Sequence, residues 1–176
     1  MFDDKRSKKV VPIVHCILNH NARIDRFGRY PGAIKEIIEV LMEKGYGIMQ
    51  IPCPELMIMG LQRANSNEEK LTIIEALGKP ENRKICNEIA QATAYQIKEY
   101  LDNGFTVPCV IGSDGSPSCG VNITIRGAEK FPGSGVFIQE LKKVFAEQNI
   151  DVPIVSTADQ ENEAEGILEW LKESLK

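Results

Sequence analysis

The sequence predicts an α/β fold, a single Rossmann-like three-layer domain with a mostly parallel sheet of about four to five strands. Short continuous apolar runs, such as Val10–Val14, are typical of strands that are buried on both faces. Amphipathic segments alternate with these runs, and this alternation indicates βαβ units. The length of 176 residues, of which 43% are hydrophobic, suits one core, so residues 1–176 are predicted to form one domain.

The first half of the chain contains two predicted strands with a helix between them. The strand Val10–Val14 is followed by a helix whose apolar face comprises Ile34, Ile37, Ile38 and Leu41. Pro31 suits the first turn of this helix, and Gly45 suits its C-terminal cap. Residues 46–51 form the second predicted strand, which the sequence Pro52-Cys53-Pro54 ends because proline cannot continue a central ladder.

The second half repeats this alternation. Residues 56–78 have the weakest pattern, with a helix start predicted at 65–69, and a long helix is predicted over 80–101. A third strand over 106–111 precedes the loop GSDGSPSCG, residues 112–120. A short strand at 122–125, a helix after the GSG sequence of residues 133–135, a strand at 152–155 and a final helix complete the chain. The apolar face of that final helix comprises Ile167, Leu168, Leu171 and Leu175.

Composition excludes several classes of protein. The formal net charge of −4 gives no reason to expect binding to nucleic acid, which requires a concentrated basic surface. No apolar stretch approaches the roughly 20 residues of a membrane span, and the N-terminal MFDDKRSKK does not have signal-peptide proportions. We therefore expect a cytoplasmic protein without a membrane partner, in which the five cysteines are reduced thiols rather than a disulfide framework.

Three of the five cysteines follow predicted strands. Cys16 ends the first strand, Cys53 follows the second, and Cys119 lies in the loop after the third. Since right-handed crossovers place the carboxyl ends of parallel strands on one side, these three thiols can meet in space. The spacing is equally compatible with three separate structural cysteines. Cys86 and Cys109 lie inside a predicted helix and a predicted strand, and we interpret them as small buried hydrophobic residues.

Converging thiols leave three kinds of site open. Zinc requires a fourth ligand, which His15 or His20 could supply. An iron–sulfur cluster also binds thiolates, and three cysteines would leave one iron open to a substrate. A nucleophilic cysteine with a histidine base is the third possibility, but it leaves two thiols without a role. The chain has no closely spaced CxxC pair, which disfavours both a zinc ribbon and a bacterial ferredoxin arrangement.

The sequence resembles the TudS-type desulfidases, a bacterial family formerly described as a domain of unknown function. The resemblance rests on a cysteine that closes the first strand, the motif Cys53-Pro54-Glu55 after the second, and SPSCG at residues 116–120 after the third. It spans most of the chain and includes the GSG sequence before a helix. The two motifs in this order and at this distance are more specific than either motif alone.

The resemblance implies a [4Fe-4S] cluster held by Cys16, Cys53 and Cys119. The iron without a protein ligand would bind the sulfur of a small thiolated substrate, as thiouracil in the family's namesake, and the reaction would be a non-redox hydrolytic desulfuration that releases sulfide. Glu55 is then the candidate general base and acid, with Ser116 or Ser118 hydrogen-bonded to the attacking water or to the substrate. The glycines of the loop would let its backbone approach the cluster. Glu55 could instead cap a helix, and the serines could simply close the turn.

The segments that would face the substrate depart from the family pattern. The family has a small residue before its first cysteine and Leu-Leu-Gly after it, whereas here His15 precedes Cys16 and Ile17-Leu18-Asn19 follows. The family's Arg-Tyr-Asp-Gly stretch is loosely matched at residues 23–25 and 29–32, and its proline–arginine segment is reduced to Gly60-Leu61-Gln62-Arg63. The cluster ligands carry over, but the substrate does not. A metal- or cluster-binding module without turnover, or a zinc- or thiol-dependent hydrolase, remains an alternative to the desulfidase.

Overall fold

The computed structural model describes residues 3–63, 72–157 and 165–175. In these ranges the chain alternates short strands with helices, in the order β1 (Val10–Val14), α1 (His15–Leu18), α2 (Lys35–Glu43), β2 (Gly47–Ile51), α3 (Pro54–Met59), α4 (Ile73–Gly78), α5 (Pro80–Asp102), β3 (Val110–Ser113), β4 (Ile123–Arg126), β5 (Glu129–Pro132), α6 (Val136–Glu147), β6 (Ile154–Thr157) and α7 (Glu165–Ser174). A single 3₁₀ turn, His20–Ala22, follows α1.

Four of the strands form one parallel sheet in the order β2-β1-β3-β6. The central strand β1 is buried along all five of its residues, as the continuous apolar run predicted. Its neighbour β2 runs in register from Val10 opposite Gly47 to Val14 opposite Ile51. The carboxyl ends of the strands therefore lie along one edge of the sheet, from which the loops that carry Cys53 and Cys119 depart.

The helices form layers beside the sheet. Helices α2 and α7 contact each other, and a second group is formed by α5 with α6, α3 and α4. The buried faces of these helices and of the sheet form one hydrophobic cluster that includes Ile13, Leu41, Ile97, Ile111 and Phe137. The predicted α/β class with a parallel sheet flanked by helices is confirmed. None of the helices in the described ranges is long and apolar enough to cross a membrane.

The predicted end of helix α2 agrees with the structure, but its predicted start does not. Gly45 has a φ of 74° directly after the helix, in agreement with the predicted C-terminal cap. Pro31, by contrast, does not lie in the first turn, because α2 begins only at Lys35. The reason is a tertiary hydrogen bond: the Ile34 amide donates to the carbonyl oxygen of Ile17 at 2.9 Å, which holds the preceding segment against α1.

Strands β3 and β5 also differ from expectation. Strand β3 begins at Val110 rather than at 106, since Pro108 has no amide hydrogen and Thr106 makes only an isolated bridge with Lys9. Cys109 consequently lies just before the strand, although it is fully buried. Strand β5 was not predicted, because all four of its residues are exposed and show no apolar alternation; it pairs with β4 as an antiparallel hairpin. The helix start predicted at 65–69 lies outside the described residues.

Candidate functional site

A cavity of about 230 Å³ lies at the carboxyl edge of the parallel sheet. Its walls come from the end of β1 and the segment that follows it, from the start of α3 with Arg63, and from the loop after β3. Apolar side chains form much of the lining, and they are Val14, Ala22, Ile24, Phe27, Ile73, Pro117 and Ile125. This is the place where ligands bind in parallel α/β sheets, because the loops at the strand ends surround a crevice there.

The cavity brings together the three cysteines that the sequence placed at strand ends. Cys16 lies in α1 directly after β1, Cys53 lies one residue before α3, and Cys119 lies in the loop after β3; all three line the cavity as free thiols. Cys86 and Cys109 are both fully buried elsewhere and are not among the lining residues. The five cysteines therefore divide into the two groups that their sequence positions indicated.

The three lining thiols influence one another. Burial raises the pKa of Cys119 well above its usual range, and the neighbouring Cys53 and Cys16 raise it further. Burial, followed by the Glu55 charge, raises the pKa of Cys53 to about 11. Cys53 and Cys119 are therefore neutral thiols near pH 7, and binding of a metal centre to them must release their protons.

Glu55 is a buried carboxylate with a buried cationic partner. Both side chains are almost inaccessible, with 8% of Glu55 and 3% of Arg63 exposed. Arg63 Nε donates to Glu55 Oε2 at 2.9 Å, and the same guanidinium donates to the carbonyl oxygens of Ala22 at 2.7 Å and Gly60 at 3.1 Å. Since an unpaired charge at such depth would be strongly unfavourable, each member of this pair requires the other.

The second carboxylate oxygen of Glu55 is hydrogen-bonded to the cysteine loop. Ser118 Oγ donates to Glu55 Oε1 at 2.6 Å, and Ser116 Oγ lies 3.4 Å from the same oxygen. Ser116 Oγ also accepts the Cys119 amide at 2.9 Å and lies 3.2 Å from Ser118 Oγ. Ser118 Oγ is 3.4 Å from Cys119 Sγ, so the short Ser118–Glu55 hydrogen bond lies directly beside one of the three thiols.

Asp114 determines the shape of the loop that carries these groups. Its Oδ1 accepts three backbone amides, those of Val121 at 2.7 Å, Asn122 at 2.8 Å and Ile123 at 3.2 Å. In this irregular segment the carboxylate accepts hydrogen bonds from consecutive backbone amides that have no partner in a helix or a sheet. Gly115, which lines the cavity, has a φ of 73° that favours glycine.

Gly112 and Gly120 of the loop, and Gly135 before α6, lie where the backbone packs closely. A Cβ on Gly112 would meet Val121 Cγ2 at 2.5 Å and Cys119 O at 2.8 Å, and a Cβ on Gly120 would collide with the backbone of Ile123. A Cβ on Gly135, at the start of α6, would come within 2.5 Å of the Ser118 carbonyl group. These three glycines are required because the loop folds back tightly on itself and on α6.

The two histidines occupy different environments. His15 lines the cavity, its Nε2 lies 3.3 Å from Asn19 Nδ2, and burial lowers its pKa. His20 is buried beneath the wall, where its Nδ1 lies 3.1 Å from the Cys16 carbonyl oxygen and its ring contacts Tyr30 edge to face. His20 Nε2 has no hydrogen-bond partner among the described residues. His20 therefore contacts the backbone of Cys16 and is not among the residues that line the cavity.

Sequence reasoning missed the most strongly held charge of the site. In the sequence, Arg63 is notable only as part of a segment that matches the family pattern incompletely. In the structure it is the ion-pair partner of Glu55. Arg23 also lines the cavity and donates through Nη2 to Ser113 Oγ at 3.0 Å. A single arginine ten positions after Cys53 has no local pattern that would distinguish it from a surface residue, so only its burial reveals it.

The donor set of the cavity consists of three cysteine thiols, which both zinc and iron–sulfur clusters bind. Within the described ranges, no group of three or more histidine, cysteine, aspartate or glutamate side chains could hold a metal ion. A mononuclear zinc site requires all its ligands within about 2.3 Å of one ion. The thiolates of an iron–sulfur cluster each bind a different iron, and the three cysteines that line the cavity are donors of this type.

The protein belongs to the class of α/β proteins with a parallel sheet, and its thiol-lined cavity lies at the carboxyl edge of that sheet. Comparison with solved structures gives the particular fold: the [4Fe-4S]-dependent thiouracil desulfidase TudS matches 92% of this chain and 99% of its own chain with a TM-score of 0.51, at 19% sequence identity. The chain thus shares the TudS fold, as its motifs predicted. An uncharacterized protein of Methanocaldococcus jannaschii is 25% identical to this chain over 171 residues. The matched region covers 97% of this chain and 99% of the Methanocaldococcus jannaschii protein. No family model matches the chain.

Proposed function

We propose that this chain, as one desulfidase-like domain and a divergent relative of TudS, is a [4Fe-4S]-dependent desulfidase that removes sulfur from a small thiolated compound. The observation that carries the proposal is the convergence of Cys16, Cys53 and Cys119 on one cavity, with Glu55 hydrogen-bonded beside them. Cys16, Cys53 and Cys119 would hold the cluster. When bound, a cluster with three protein ligands supplies an open Lewis-acidic iron for the sulfur of the substrate. The cytoplasm, where thiols stay reduced, is the compartment that suits this site.

The chain's own residues would move the protons of the hydrolysis. In the overall reaction, C=S and H₂O become C=O and H₂S without a change of oxidation state. The water oxygen forms the new bond to carbon, and both water protons end on sulfur. Glu55 would accept a proton from the water through the Ser118 hydroxyl, which is 2.6 Å away, and return it to the departing sulfur. Ser116 would orient Ser118 from 3.2 Å.

The lining of the cavity supports a small, largely apolar substrate. Ile24, Phe27, Ile73 and Ile125 offer apolar walls, whereas the polar groups are concentrated around Glu55 and the thiols. A thionucleobase such as 2-thiouracil has this character, with one soft sulfur and a flat ring. Apolar walls also limit the access of bulk water to the reacting carbon, and a water hydrogen-bonded to Ser118 would be the attacking one.

The direct test is anaerobic purification and reconstitution, followed by iron and sulfide analysis, a visible spectrum, and an assay of sulfide release from 2-thiouracil. We expect about four irons and four inorganic sulfides per chain and sulfide release in step with uracil formation. A protein that stays colourless and iron-free after anaerobic reconstitution would refute the proposal.

Glu55→Gln separates turnover from simple cluster binding. Glutamine keeps the shape of the side chain but cannot accept a proton, so kcat should fall by about 10²–10⁴-fold while the iron content is unchanged. Glu140→Gln is the matched control, since Glu140 is a buried carboxylate on α6 paired with Arg83, and should leave kcat unchanged. Undiminished desulfidation by Glu55→Gln would mean that Glu55 has no role in proton transfer.

A further inference from the structure

Arg63 contributes no group to the proposed proton path, yet its buried guanidinium makes three hydrogen bonds in the cavity wall. Its guanidinium donates to Glu55 Oε2, to Ala22 O and to Gly60 O, at 2.9, 2.7 and 3.1 Å. Ala22 belongs to the wall that follows β1, and Gly60 ends α3. One buried side chain therefore joins two segments of the cavity wall to the carboxylate between them.

We propose that Arg63 is a positioning residue, which fixes the orientation of the Glu55 carboxylate so that Oε1 faces Ser118 and the thiols. This proposal rests on the desulfidase function only for the kinetic effect, since the orientation itself exists in the protein without a cluster. Arg63 occupies Oε2 and leaves Oε1 as the acceptor for Ser118 Oγ at 2.6 Å. Removing the Nε contact would free the carboxylate to rotate about its last bond and lose this geometry.

Lysine cannot reproduce this arrangement. The guanidinium of Arg63 is planar, and its N–H donors point in fixed directions. Its three acceptors belong to residues 22, 55 and 60. An ammonium retains the charge, but it is a single compact donor centre and cannot present this planar fork. Arg63→Lys therefore keeps the charge balance of the buried pair while it removes the directional hydrogen bonds, which separates positioning from charge.

The chain contains a second arginine–glutamate pair outside the cavity, whose arginine is more exposed than Arg63, 40% against 3%. Arg83 Nη1 lies 2.6 Å from Glu140 Oε1, and 8% of the Glu140 side chain is exposed, the same fraction as for Glu55. Asn87 also donates to Glu140 at 3.0 Å. Arg83→Lys makes the same chemical change to an arginine–glutamate pair, between α5 and α6, and should affect neither Glu55 nor turnover.

The kinetic experiment compares reconstituted wild type, Arg63→Lys and Arg83→Lys with 2-thiouracil. For Arg63→Lys we expect kcat to fall by about 10- to 100-fold with a change in KM of less than about threefold and with unchanged iron content, because misplacement of a catalytic group affects the transition state more than binding. Arg83→Lys should match wild type. An unchanged kcat for Arg63→Lys, or a loss of iron that accounts for its whole decrease in activity, would overturn the positioning role.

The structural experiment needs no cluster. Crystal structures of the unloaded variants should show that Ser118 Oγ and Glu55 Oε1 separate beyond about 3.5 Å in Arg63→Lys, whereas the hydrogen bond persists in Arg83→Lys. If the bond persists in Arg63→Lys, the inference is wrong. Should wild type show no desulfidation at all, the proposed function fails, and these two unloaded structures alone decide whether Arg63 orients Glu55.

Discussion

Ser116 and Ser118 lie two positions apart in the sequence but make different hydrogen bonds in the site. The single Ser118 hydroxyl proton is directed to Glu55 Oε1 at 2.6 Å, while Ser116 Oγ accepts the Cys119 amide at 2.9 Å. A short hydrogen bond to a carboxylate is the stronger of the two, and it is the one that can transmit a proton. The chemical contribution of the pair therefore belongs mainly to Ser118, and the shape of the loop depends on Ser116.

Alanine substitutions should separate these contributions. Ser118→Ala is expected to lower kcat by about 100-fold with little change in iron content. Ser116→Ala should lower kcat by about tenfold at most, but it should reduce the free energy of unfolding by about 1–2 kcal/mol, because it leaves the Cys119 amide without its acceptor. Sulfide-release kinetics and urea unfolding measure the two effects. Equal losses of kcat in both variants would contradict the assignment of proton transfer to Ser118.

Cys109 should make the stability of the protein depend on pH in the alkaline range. Burial raises the pKa of this thiol from 9.0 to about 12. A raised pKa means that the folded state binds the proton more tightly, so this contribution is fully present below pH 9 and is lost as the pH rises from 9 to about 12. Three pKa units correspond to roughly 4 kcal/mol at most.

The measurement is urea unfolding between pH 8 and pH 11 for wild type and Cys109→Ala. Both proteins share the titrations of their other groups, so the difference between their free energies of unfolding isolates Cys109. We expect the wild type to lose its advantage over Cys109→Ala as the pH rises. A difference that stays constant over this range would show that the buried thiol does not control alkaline stability.

At the scale of elements, the loop between β3 and β4 is held by hydrogen bonds within itself and to α6. Asp114 closes it through three backbone amides, and the backbone of Ser118 lies against Gly135 at the start of α6. The Val136 and Ile138 amides of α6 donate to Pro117 O at 3.0 Å and Ser118 O at 3.2 Å. Helix α6 therefore determines how far the loop, with Cys119, projects toward the cavity.

Gly135→Ala should displace this loop. The added Cβ would lie 2.5 Å from the Ser118 carbonyl group, and backbone cannot give way as a flexible side chain can. We expect a loss of about 1–3 kcal/mol in the free energy of unfolding, measured in urea, together with weaker retention of iron. Gly28→Ala is the matched control, since no atom lies within 4 Å of a Cβ placed there. Equal stability of the two variants would contradict this packing.

At the scale of the whole molecule, the proposed cluster would join three distant parts of the chain. Cys16, Cys53 and Cys119 follow three different strands of one sheet. A group that binds only the folded state stabilises it by mass action. At 1,000-fold saturation the gain is about 4 kcal/mol, which for a chain of this size corresponds to about 10 °C in Tm.

Anaerobic calorimetry before and after chelation of iron tests this consequence. The Tm should fall by about 10 °C when iron is removed from wild type, and Cys86→Ala should show the same decrease although its own Tm is lower. Cys119→Ser should show no decrease, because it lacks one proposed ligand. An identical Tm for loaded and unloaded wild type would mean that any bound iron is not held by the folded site.

Much of the architecture could be predicted because it depends on local patterns. Strand β1 and helix α5 were predicted nearly to the residue, since a continuous apolar run and a 23-residue amphipathic segment leave few alternatives. Strand β5 was missed because its residues are exposed, and β3 was displaced because Pro108 and its surroundings interrupt the ladder. The convergence of three thiols could be anticipated for a geometric reason: parallel strands bring their carboxyl ends to one edge.

The sequence by itself determined the α/β class and the parallel sheet, because hydrophobic periodicity is a local pattern, and it placed Cys16, Cys53 and Cys119 after strands without deciding whether they meet. Only the tertiary structure decided that Arg63 is the partner of Glu55, which serine donates to Glu55, and that the loop glycines serve packing. These features arise between residues that lie up to 63 positions apart. Their contacts depend on burial and on side-chain direction, which no local pattern encodes.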